Sequence, residues 1–297
     1  MSEHPGITQR PPAFAELLVD SLDRYPNGIP IWANQTTSSD WRTNFQQNVL
    51  YGYFTRLAIT QIQFFWNLPT IIGGYNDEFS VTVVGTGAGN YTININQEFY
   101  TPDGLAAAIQ AALVLAAPAA NFTCVFVPQD RAFNIQTGAG STFQLNAPVG
   151  NAQNRCFITC GFFPNAVTND QVFGIPTMLA SRFIDIVSAN LTKYQRVKDS
   201  TTLQSPTISN IIARVYPAAP NTRVPLLDQT ALRDSDSIGS NPFVLCIDYN
   251  TPKHIKWSPD EALANFDLQL RDDFGELVPW SPSAGCEYQL TILASES

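Results

Sequence analysis

The densest set of residues able to do acid–base chemistry in this sequence is Asp272-Asp273 with Glu276. Paired carboxylates can act as general acid and base, or as acid and nucleophile in glycoside cleavage. Their setting points elsewhere. The alternating run Phe266-Asp267-Leu268-Gln269-Leu270-Arg271 leads into Asp272-Asp273-Phe274-Gly275, and Leu277-Val278 follows. This is the pattern of a hairpin turn with glycine at the left-handed position. Carboxylates in such a turn are expected to be solvated, and solvated turn acids rarely enclose a divalent cation alone.

Other reactive types are few. The chain has two histidines. His4 lies in the N-terminal stretch, and His254 stands among lysines in Thr251-Pro252-Lys253-His254-Ile255-Lys256-Trp257, where it reads as a surface or interface residue. Cys124, Cys156, Cys160, Cys246 and Cys286 are an odd, scattered set, unlike a secreted disulfide framework, and read as reduced thiols. Cys156 and Cys160 lie four apart, but two histidines leave little to complete a closed zinc site, so they read as two strand thiols. Gly85, Gly87 and Gly89 lack the helix, lysine and hydroxyl that a phosphate loop needs, and Gly138 and Gly140 read as hairpin glycines. Asn34, Asn90, Asn121 and Asn190 open glycosylation sequons that matter only in a secreted chain. Phe64-Phe65-Trp66, and Trp257 and Trp280 beside Pro259 and Pro279, could stack on a ligand such as a sugar. Aromatics spaced along strands more often form core or subunit contacts. The residues therefore assign no catalytic, cofactor or metal site.

The elements that must position these residues are strands. Apolar residues are 44% of the 297 and charged residues only 14%. That charge content lies well under the roughly 25% of soluble domains, so much of the surface must be neutral and suited to meeting other protein. Abundant Phe, Tyr, Val, Ile and Thr favour half-buried pleated strands. A net charge of −9 with no basic run argues against direct nucleic acid binding. No run of about 18 apolar residues is present to span a membrane, and Met1 to Arg10 does not read as a signal peptide, so a soluble, unsecreted chain is expected.

Read along the chain, residues 1–47 form an N-terminal arm broken by Pro5, Pro11, Pro12, Pro26 and Pro30, with a short helical candidate at Phe14–Leu22. Such an arm docks on neighbours or stays a disordered tail. A long strand within Asn48–Asn67 ends at Pro69. Residues 77–145 read as a β-β-α-β-β module. Phe79–Val84 and Tyr91–Asn96 form strands, Thr101-Pro102-Asp103 caps a helix with Leu105, Ala108, Ile109, Ala112 and Leu113 on one face, and Asn121–Val127, Ala132–Thr137 and Ser141–Leu145 add strands. Further strands are expected near Phe157–Gly161, Arg182–Val187, Ile208–Val215, Phe243–Tyr249, Phe266–Arg271 and Glu287–Ala294. The fold class is all-β: a jelly-roll sandwich of residues 48–76 and 146–297 carrying the inserted module.

Two stretches resemble penton (vertex) capsid proteins of virophages, polinton-like viruses and related large DNA viruses. One joins the aromatic strand to Asn90-Tyr91-Thr92 and Thr101-Pro102-Asp103-Gly104-Leu105-Ala106-Ala107-Ala108-Ile109; the other runs from Ile255-Lys256-Trp257-Ser258-Pro259 through Phe266–Leu277 to Tyr288-Gln289-Leu290-Thr291-Ile292-Leu293. The resemblance covers about a third of the chain. It implies a single jelly roll and a homo-oligomer, the pentamer, at icosahedral vertices. The partners it implies are the major capsid protein and other minor capsid proteins. It also implies a virion location after assembly in the host cell, with no catalytic residue and no cofactor. The alternatives are a virion spike or receptor-binding subunit, and a carbohydrate-binding or glycan-cleaving β-sandwich using Trp257, Trp280, Asp272 and Asp273.

Overall fold

The computed structural model describes residues 12–24, 37–44, 48–194, 210–217, 223–225, 243–279 and 285–296. The chain opens with β1 (Phe14–Asp20), β2 (Asp40–Asn44) and β3 (Arg56–Asn67). It continues through β4 (Glu78–Gly85), β5 (Gly89–Asn94), α1 (Pro102–Ala116), β6 (Thr123–Val127), β7 (Ala132–Gln136), β8 (Ser141–Leu145), α2 (Asn151–Cys160) and β9 (Asp170–Val172). It ends with β10 (Ile184–Val187), β11 (Ile211–Val215), β12 (Arg223–Pro225), β13 (Phe243–Asp248), β14 (His254–Lys256), β15 (Asn265–Arg271) and β16 (Gly285–Ser295).

Two antiparallel sheets form the larger body. One runs β1-β16-β3-β13-β12, with β14 also on β3, and the other runs β11-β10-β15-β2. The chain passes from one sheet to the other between β1 and β2, β2 and β3, β3 and β10, β11 and β12, β14 and β15, and β15 and β16. That alternation makes the body a jelly-roll sandwich. Its central strand, β3, pairs with β16 along its whole length and with β13 and β14 on its other side. Hence Leu57, Ile59, Ile62, Phe64 and Trp66 are all buried. Phe64 stacks on Tyr288 at 6.0 Å and Trp66 on Phe243 at 5.8 Å. A buried polar contact crosses this core, the indole N–H of Trp41 on β2 donating to the Tyr288 hydroxyl on β16 at 2.8 Å.

A second core gathers residues from Ile71 to Met178. Sheets β5-β4-β8 and β6-β7-β9 enclose it with α1 and α2. Helix α1 starts as expected: the Thr101 hydroxyl accepts from the Gly104 N–H at 3.1 Å, Pro102 fills the first turn, and Leu105, Ile109 and Leu113 face inward. Phe162 is the hub, with Phe173 at 4.9 Å, Phe79 at 5.2 Å and Phe157 at 6.0 Å, mostly edge to face.

Three expectations are corrected. Phe14–Leu22 is not a helix: Phe14–Asp20 pairs with β16 over its length, and β2 likewise pairs with β15, so both segments of the expected arm are strands of the body. Alternation, with Val19 inward and Phe14 and Leu18 outward, outweighs helix propensity because the sheet supplies hydrogen bonds along the whole strand. Phe157–Gly161 is not a strand but the end of α2, closed by Gly161 at φ +71°. Strands β9, β12 and β14 are too short to leave a sequence period. Ile208 and Ser209, within the strand expected at Ile208–Val215, lie outside the described residues.

Candidate functional site

The polar residues that the fold brings together lie where the two cores meet. Three segments supply them. The link between β3 and β4 brings Tyr75 and Asn76, α2 brings Arg155 and Thr159, and the turn after β15 brings Asp272, Asp273 and Glu276. Asp272 is expected to be solvated but is 1% exposed. One carboxylate oxygen accepts the Tyr75 hydroxyl at 2.7 Å and the Arg155 guanidinium at 2.5 Å. The other accepts the Phe274 and Glu276 backbone N–H groups at 2.9 and 2.8 Å. The turn itself is as expected, with Gly275 at φ +79°. What sequence reasoning missed is its cation, because Arg155 lies far away in the chain, on another element.

The Arg155 guanidinium also donates to Glu276 at 2.6 Å and lies 4.2 Å from the Tyr75 ring centroid and 5.0 Å from that of Phe274. Burial works against its charge, but the Glu276 hydrogen bond and the nearby Asp272 carboxylate hold its pKa above the ordinary value. Burial, and then the charge of Asp272, pushes the Tyr75 phenol far up, so it remains a donor. Glu276 is held below its ordinary pKa by the hydrogen bonds of Arg155 and Asn151. Asp273 accepts from Arg182 at 2.6 Å and from the Ser181 hydroxyl at 3.3 Å. Beside this group, Asn76 accepts from the Ile72 N–H and donates to the Thr70 carbonyl and the Thr159 hydroxyl, tying α2 to the link. All three carboxylates are held by protein donors, so the group acts as a clasp between the closing hairpin and α2.

The other expected residues scatter. His254 is exposed on β14, opposite Ala58. Cys156 and Cys160 face the second core one helical turn apart; this corrects the reading as strand thiols. The contact with Cys156, and then burial, raises the Cys160 thiol far above its ordinary pKa, and burial pushes Cys124 up to about 12. Among the described residues no three His, Cys, Asp or Glu side chains gather as a metal site. Gly85 and Gly140 meet backbone to backbone where β4 and β8 end. Asn90 is on β5, Asn121 follows the short turn after α1, and Asn190 donates to the Asn265 carbonyl. Trp257 is 2% exposed, its indole N–H donates to the Glu261 carbonyl, and Tyr194 meets it edge to face at 5.8 Å. Phe64 and Trp66 are core, and Phe65 is outward and partly exposed. Asn34, Trp280 and His4 lie outside the described residues. Between α1 and β6 lies an open groove of about 550 Å³, lined by Ala107, Gln110, Val114, Val125 and Phe126 among others.

Two facing antiparallel sheets in this order, with a second unit between β3 and β10, define a single jelly-roll sandwich. The crystal structure of the mavirus penton protein shares this fold: it superposes with a TM-score of 0.52 at 11% identity, over 95% of this chain and 98% of that one. A cryo-electron-microscopy structure of the Sputnik virophage aligns over 97% of this chain and 99% of that one, with a TM-score of 0.47 at 11% identity. No protein-family model matches the chain, and no curated protein matches it.

Proposed function

We propose that the chain is a structural subunit of a virus shell, a penton-type minor capsid protein that closes into pentamers at icosahedral vertices and contacts the major capsid protein. The observation that carries this reading is the fold shared with the mavirus penton protein over nearly the full length of both chains. The sparse charge of the sequence supports it, because a neutral flank loses little on leaving water. The function is then thermodynamic: two unlike flanks of neighbouring copies meet in a heterologous contact whose rotation closes at five. The residues from Ile71 to Met178, with their own core, are on this reading an insertion between β3 and β10, the third and fourth described strands of the sandwich. The carboxylates once open to a hydrolytic role are engaged by Arg155, Arg182 and Tyr75, and Trp257 is packed inside, which takes support from the glycan reading.

Native mass spectrometry of the purified full chain, with electron microscopy of the same sample, tests the proposal. A ring of five is expected. A stable trimer would favour the spike reading, and a monomer at all concentrations would remove both.

A further inference from the structure

Among the described residues, two strand edges at the same level of one sheet have no partner. Register aligns Phe14 of β1 with Ser295 of β16, Ser295 with Arg56 of β3, and Arg56 with Lys256 of β14. Strand β1 is one edge of this row and β14 the other, and no described residue pairs with either on its outer side. The Ala13 carbonyl faces β16, accepting from Glu296, so by alternation the N–H and C=O groups of Phe14, Glu16 and Leu18 face outward. The Trp257 backbone N–H faces β3, donating to the Thr55 carbonyl, so the backbone groups of His254 and Lys256 face outward on the opposite edge.

The side chains on these edges are complementary. Edge β1 carries Phe14 at 79% exposure and Leu18 at 68%, with Glu16 between them and Asp20 and Asp23 just beyond. Neither a lysine nor a bulge blunts it, as edge strands usually require. Edge β14 carries His254 and Lys256, with exposed Arg56 beside them, in a chain with only 16 Lys and Arg. Glu16, His254 and Lys256 take part in no ion pair among the described residues.

We propose that β1 of one copy pairs antiparallel with β14 of the next. This rests on the assembly reading above and names the strands of its contact. Within the row, β1 and β3 run one way and β16 and β14 the other, so a neighbour's β14 laid beside β1 continues the antiparallel order without reversal. The two registers that match outward-facing residues set Glu16 opposite either Lys256 or His254. The contact joins two different surfaces, as a closing ring needs.

Charge exchange tests it. Full-length wild type, Glu16→Lys, Lys256→Glu and the double variant are compared by native mass spectrometry and sedimentation velocity, with circular dichroism melts to establish that each is folded. Each single variant is expected to lose the assembled species at least tenfold at fixed concentration, and the double variant to recover it. Singles that assemble like the wild type, or a double as defective as the singles, overturn this pairing and leave the ring reading standing. A wild-type filament would keep the strand contact and remove the fivefold reading; a wild-type monomer at every concentration removes both.

Discussion

At the scale of single residues, Arg155 decides how the two cores stay together. A buried ion pair adds little against an apolar pair of the same shape, whereas removing one partner strands a buried charge and costs about 3–5 kcal/mol. Arg155→Met is therefore expected to lower stability by about that amount, read as a shifted urea midpoint at unchanged slope. Arg155→Met with Asp272→Leu should cost less than the sum of the two single changes, because no uncompensated charge remains. A double variant that costs the full sum would mean that the clasp residues act independently. Glu276 gives the same group a pH signature. Its folded pKa lies below the ordinary 4.5, through Arg155 and then Asn151. The folded state thus binds its proton less readily than the unfolded one, and the contribution is present above about 4.5 and lost as pH falls through the folded value. With its side chain 51% exposed, the effect is small. Glu276→Gln should remove that part of the pH dependence of Tm while leaving Tm at pH 7 lower.

At the scale of elements, legibility in the sequence follows how much each element owes to its own residues. Strands β3, β8, β15 and β16 are readable because alternation continues for five residues or more. Helix α1 is readable because Thr101 and Pro102 announce it and its small residues suit nothing else. Helix α2 is not. Phe157, Ile158 and Thr159 favour a strand locally, Gly150 offers no capping side chain, and burial of Arg155, Phe157 and Cys160 against distant strands makes the difference. Strand β1 is hidden for the same reason, since its partner β16 lies at the other end of the chain. The clasp is half legible: the Asp272–Gly275 turn is local, whereas its buried cation is not. The end of α2 carries a sharp test. At Gly161, φ is +71° and an added Cβ would stand 2.4 Å from the Gly174 carbonyl oxygen, so Gly161→Ala is expected to destabilise by about 2 kcal/mol or more. Gly73 has an ordinary φ, and the nearest atom to an added Cβ is a Gln97 oxygen at 3.7 Å. Gly73→Ala should stay within about 1 kcal/mol of the wild type, and equal losses at both sites would refute the steric account.

At the scale of the whole molecule, the middle of the outer face of the β1-β16-β3-β13 sheet, between its charged edges, carries the neutral amides and hydroxyls of Gln61, Gln63, Gln289 and Thr291. Gln61 and Gln289 are spent on Asp248 and Asp20 within the same face, so even its acids are partly satisfied locally. Such a face neither repels a copy of itself nor holds water tightly. If copies associate through the body, folding and association share one equilibrium and stability must depend on protein concentration. For a ring of five, each tenfold rise in concentration adds about 1 kcal/mol per subunit, a rise in Tm of roughly 2 °C for a chain of this size. Melts from micromolar to hundreds of micromolar protein check this directly. A Tm flat across that range, with a mass of 32.7 kDa throughout, would mean that the neutral face serves some other partner and not a second copy. A Tm that climbs with concentration in wild type but stays flat in Glu16→Lys would tie the stabilisation to the β1 edge itself, since that change leaves the cores and the Arg155 clasp untouched.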